Sequence, residues 1–185
     1  MKLMQILRRF ARASGGQAGL EFALIAPFIM VPLLLGSIDL LDMLQANRRA
    51  QNAAASVADV VSRDTSISDA EVEGLWDAAT LLMYPDDGSP LEVRITSVRV
   101  ISAESAIVAW SETNDTDALP ALTADDPFTD LTPAMMQSGT TVIVTDTQYP
   151  YHSPLGFLVA NEEGMTLSHT AYRRSRLVDP LPRVD

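Results

Sequence analysis

The chain has 185 residues, a formal net charge of −11 and no cysteine, so disulfides and thiolate metal sites are excluded as its framework. The charge is uneven: residues 1–16 carry +4 from Lys2, Arg8, Arg9 and Arg12, which leaves −15 on the remainder. An acidic body of this kind is a poor nucleic-acid partner, because phosphate binding needs clustered Lys and Arg. The basic tail instead predicts that the N-terminus stays cytoplasmic while the rest is exported.

The first element is an apolar helix. From Phe22 to Ile38 there are 17 residues without a charge, a helix roughly 25 Å long and at the short end of what spans a bilayer. Three readings of it are open: a cleaved secretory signal, an uncleaved anchor, or a leader removed ahead of a helix that remains on the mature chain. The run exceeds the usual signal core and no small-x-small site closes it, since Gly36-Ser37-Ile38-Asp39 leads into further helix. Glu21 favours the third reading. A lone carboxylate at the start of a membrane helix is costly unless paired or at the interface. Cleavage after Gly16 makes Gln17 residue one and Glu21 residue five, four apart and on one helix face. The freed amine of Gln17, on the same or a neighbouring subunit, then neutralises Glu21.

A short basic leader, Gly16 at the cut, Glu21-Phe22, and Ala26-Pro27 inside the apolar run resemble a TadE-type pseudopilin of the Flp (Tad) branch of type IV pilins. The resemblance covers about residues 8–60. It implies cleavage between Gly16 and Gln17 by a prepilin peptidase, and subunit pairing through Glu21 and Phe22. It also implies a single-pass place in a bacterial inner membrane, with other pilin or pseudopilin subunits, the Tad assembly platform and the lipid bilayer as partners. The chain is longer than the bulk filament pilins, which points to a minor or assembly-associated subunit. The alternative is an uncleaved single-pass protein whose acidic extracytoplasmic domain binds a ligand or partner. Pro27 and Pro32 each lack an amide donor and predict helix kinks, either harmless or shaped for filament packing.

Asp39 and Asp42 are read as emergence into water, giving a membrane segment at 17–39 and an exported continuation at 40–63. Leu40, Leu41, Leu44, Ala50, Ala53, Ala54, Val57, Val60 and Val61 form the predicted packing stripe. A second helix over about 69–83 is capped by Ser68 with Glu71 three residues on, and Asp86-Asp87-Gly88 reads as a turn in preference to a metal site. Strands follow at Leu91–Ile101, with a phase change near Ser97 taken as a bulge, at Ser105–Ser111, at Thr140–Thr147 and at Gly164–Tyr172. Tyr149-Pro150-Tyr151 is expected to interrupt the third strand. Residues 112–139 read as a long acidic loop with one or two helical turns, a solvated excursion in preference to a partner contact, and 155–159 as a helical turn or apolar patch. The expected fold is α+β, with the long N-terminal helix and a second helix on a four-stranded antiparallel sheet.

No cofactor or metal is expected, and no enzymatic activity. Two histidines, His152 and His169, are the thin catalytic candidates. Ser168 and His169 are neighbours on a strand and point to opposite faces, wrong for a nucleophile and its base.

Overall fold

The computed structural model describes residues 16–156 and 164–184. The expected leader over residues 1–15 and the Phe157–Val159 part of the expected apolar patch lie outside them. Helix α1, Gln17–Val61, is followed by α2, Asp69–Leu81, then strands β1, Glu92–Ser102, and β2, Ser105–Thr113. A short 3-10 turn at Pro133–Met135 precedes β3, Thr141–Tyr151, and β4, Met165–Arg174. The sheet order is β2-β1-β3-β4 with every pair antiparallel. The α+β arrangement expected from the sequence is the one observed.

The second half of α1 lies across β3 and β4. It does so with small side chains: Ala46, Ala50, Ala53, Ala54, Val57, Ala58 and Val61 are buried. An alanine seam lets helix and sheet backbones approach closely, and Thr147 Oγ1 donates to the Ala50 carbonyl at 3.4 Å across it. Ala50 and Ala53 meet Val93, Ile95, Ile143, Tyr149 and Tyr151 in the main core, with Val72, Leu75, Ala79 and Met83 from the α2 region. Ser68 and Glu71 form the expected capping box. The Glu71 carboxyl is held below its ordinary range by the Ser68 amide, and further by the Ser68 hydroxyl. The helix is shorter than the expected 69–83: α2 ends at Leu81 and Leu82, its C-cap, is exposed.

The phase change in β1 has a different cause from the expected bulge. Its pairing with β3 is unbroken from Glu92↔Gln148 to Arg99↔Thr141. What changes is which face is covered. Val93 and Ile95 point to the helices, whereas Val98 and Val100 point to a second core on the other face with Val142, Val144 and Leu131. A register shift does occur opposite Ser97/Val98, but the extra residue, Ala109, belongs to β2.

That second core corrects the reading of residues 112–139 as a solvated excursion. Leu119 and Leu131 are buried, and Phe128, Met135 and Met136 pack on the sheet. The segment also lines the outer edge of β2: Asp125 N–H donates to Val108 O at 2.9 Å, Val108 N–H to Asp126 O at 3.0 Å and Phe128 N–H to Ala106 O at 2.9 Å. A sheet edge is thereby closed by the chain's own backbone. Asp115, Asp117, Asp125, Asp126 and Asp130 stay exposed, which satisfies their charge while their apolar neighbours turn inward.

Pro150 does not interrupt the third strand, which runs on to Tyr151. Beyond Gln148 there is no β1 partner, and Pro150 pairs only with Thr166 of β4. Proline is tolerated where a strand is locally an edge.

Gly88 has a steric reason. A Cβ at this position would lie 2.2 Å from the Thr80 carbonyl oxygen, a backbone atom fixed near the end of α2. Gly88→Ala should therefore lower stability by about 1–3 kcal/mol through overpacking. The shift of the urea midpoint of the detergent-solubilised chain, at unchanged slope, measures it.

Candidate assembly and membrane-anchoring helix

Helix α1 has 45 residues, about 67 Å at 1.5 Å per residue. It is two surfaces end to end. Its first half is apolar and bare, with Leu20 72%, Phe22 70% and Phe28 78% exposed. Its second half carries the alanine seam. Among the described residues it is the one helix long and apolar enough to cross a membrane, and only 6% of its most apolar window is buried. Exposed leucine and phenylalanine in this density on a soluble surface would drive association; in lipid or against other helices they are at home.

The residues singled out in the sequence all fall on this half. Gly16 is exposed and stands at the N-cap without a side-chain cap. Space is open around it, since a Cβ there would meet no atom within 4 Å, and its φ of −106° is available to any residue. Gln17 opens the helix and Glu21, one turn later, is exposed. Pro27 and Pro32 lie within α1, which is helical through both. They relieve the Ala23 and Phe28 carbonyls of helical partners.

Where α1 meets the domain, the packing differs from the predicted stripe. Leu40, Leu41, Leu44 and Val60 are exposed. The docked face at this level is instead Asp39, Met43 and Ala46. Asp39 is 1% exposed and its carboxylate accepts the Leu155 amide at 3.3 Å. Asp42 accepts the Tyr151 hydroxyl at 2.9 Å. Burial, then the hydrogen bond to Asp42 and the charges of Asp42, Asp39 and Asp86, raise the Tyr151 hydroxyl above its ordinary range, so it remains a donor. Tyr149 is raised chiefly by burial and donates to Asp87 O at 3.0 Å.

Further along, Arg49 bonds to Asp86 at 2.5 Å and to Gln45 at 3.2 Å, and Asn47 meets His169 Nε2 at 2.9 Å. The sequence shows Asn47 and Arg49 only as polar residues between apolar ones. Their partners lie 122 and 37 positions away, which no local pattern signals. Asp86 and Asp87 are occupied by Arg49 and by the Ser89 amide and hydroxyl, as a turn requires. Ser168 is exposed and faces away from His169.

Residues 16–59 match the family model of TadE-like proteins. This segment is TadE-like. The match begins at Gly16 and stops two residues before α1 ends, so the TadE-like segment is nearly all of this helix and the α+β domain lies outside it. Neither a curated protein nor a solved structure matches the chain.

Proposed function

We propose that the chain is a minor pilin or pseudopilin of a Tad-type pilus, a structural subunit without chemistry of its own. The observation that carries this reading is that the TadE-like match coincides with a long helix whose first half is apolar and uncovered. A prepilin peptidase cuts after Gly16, and the basic leader remains on the cytoplasmic side of the bacterial inner membrane. The α+β domain stands outside. The helix then packs laterally with those of other pilin subunits, at the Tad assembly platform or in a surface pilus. The Glu21 carboxylate meets a freed N-terminal amine, Phe22 fills the apolar contact beside it, and any bends at Pro27 and Pro32 shape the packing.

Gly16 supports the cleavage step on physical grounds. Neither its φ nor its surroundings require a glycine, so its small size is explained by a peptidase that must close over the backbone. Gly16→Leu should leave the fold intact and the leader uncut. Mass spectrometry of protein purified from membranes of a native producer reads the outcome. The parent chain is expected to begin at Gln17 and the variant at Met1. A parent chain that begins at Met1 refutes the cleavage.

A further inference from the structure

The aspartates that mark the end of the apolar run in the sequence are not exposed charges in the fold. Asp39 is 1% exposed and Asp42 is half-buried with its carboxylate on the Tyr151 hydroxyl. Along α1, no charged residue after Glu21 is exposed until Arg48. On the side of the helix away from the domain, Leu40, Leu41 and Leu44 are 44%, 58% and 41% exposed and continue the bare surface of Leu33 and Leu34 past Ser37, whose hydroxyl donates to the Leu33 carbonyl.

Length agrees. Phe22–Leu44 spans roughly 34 Å as a helix against a hydrocarbon core of about 30 Å, whereas Phe22–Ile38 falls short at roughly 25 Å. The modest excess is what a tilt of about 28° accommodates, within the range of about 0–40° that membrane helices show. Arg48, one turn past Leu44, is placed to reach the headgroups with its long stem. The corner of the domain that covers Asp39 and Asp42 keeps Tyr151 buried with its hydroxyl on Asp42, and turns outward Pro154 and a 48% exposed Leu155.

We propose that the bilayer reaches Leu44 on the outward face of α1, and that the Pro154–Leu155 corner of the domain rests in the lipid headgroup layer. The domain thus shields two carboxylates that would otherwise hold the helix out of the membrane. It is seated on the lipid surface instead of being held away from it on a stalk. The inference rests on the reading that α1 spans a membrane, and the test separates the two.

The chain has no cysteine, so single nitroxide labels can be placed in the full chain at Leu33→Cys, Leu41→Cys, Leu44→Cys, Leu155→Cys and Val60→Cys. All five sites are exposed, which leaves the core untouched. The chain is reconstituted at low density in phosphatidylcholine–phosphatidylglycerol vesicles. Collision of each label with oxygen, which partitions into lipid, is compared with collision with a water-soluble nickel chelate. The expected result is an oxygen-to-nickel ratio at Leu41 and Leu44 close to that at Leu33, with Leu155 lower. All four should be several-fold above Val60. A ratio at Leu44 or Leu155 equal to that at Val60 overturns the proposal while leaving the membrane span standing. Labels at Leu41 and Leu44 shielded from both reagents would mean that another protein chain, not lipid, covers this face, which also overturns it. A nickel-dominated label at Leu33 removes the membrane span itself.

Discussion

Replacing Glu21 by alanine is expected to abolish filament assembly while leaving membrane insertion and the α+β domain intact. The carboxylate lies on the bare half of α1, far from the alanine seam, so the domain's packing does not depend on it. In the pairing proposed above, its removal leaves a neighbouring subunit's N-terminal ammonium without a counter-charge. Breaking one side of a buried pair costs about 3–5 kcal/mol, more than two orders of magnitude in an association equilibrium for each contact. Sheared surface fractions compared by immunoblot, against membrane fractions of the same cells, separate assembly from insertion. Glu21→Gln should recover little, since an amide supplies a hydrogen-bond acceptor without the charge. Filaments of normal yield with alanine at 21 would refute the pairing.

The second large effect is expected at the C-terminus, where Leu181→Ala should destabilise the domain by about 2–5 kcal/mol. Leu181 is 1% exposed and belongs to the main core. Its carbonyl accepts the Trp110 indole N–H at 2.9 Å. On either side of it the tail is tied to the segment between the helices, with Ile67 N–H on Pro182 O at 3.1 Å and Val184 N–H on Ile67 O at 2.9 Å. Arg183 pairs with Asp69 and Glu112. The tail is a clasp that joins the start of α2 to β2, and a domain of typical stability, about 5–15 kcal/mol, cannot lose it cheaply. Urea unfolding of the detergent-solubilised chain followed by Trp110 and Trp76 fluorescence measures the loss. Deletion of residues 177–185 should cost more than the point substitution, because it also strands the Ile67 amide and the Trp110 indole.

These two predictions come from opposite kinds of information. Glu21 was legible at once: a carboxylate before 17 uncharged residues conflicts with its surroundings, and the conflict is local. Leu181 was not, because it stands between Pro180 and Pro182 in a stretch with no period. Its burial follows from Ile67 and Trp110, which lie 114 and 71 positions earlier in the chain.

The same division holds through the molecule. Helix lengths, the Ser68–Glu71 capping box and four alternating strands rest on contacts within a few residues and on the periods 3.6 and 2, so the sequence alone determined the α+β class, the two helices and the apolar half of α1. Which face of each element is covered is decided by elements distant in the chain. That is why Asp39 is buried while Leu40, Leu41 and Leu44 are bare, why β1 changes phase near Ser97 with its ladder to β3 unbroken, and why an acidic loop folds onto the sheet. An aspartate at the end of an apolar run has the same local signature whether water or a tyrosine hydroxyl meets it. Only the tertiary structure brings Tyr151 and Leu155 to that point.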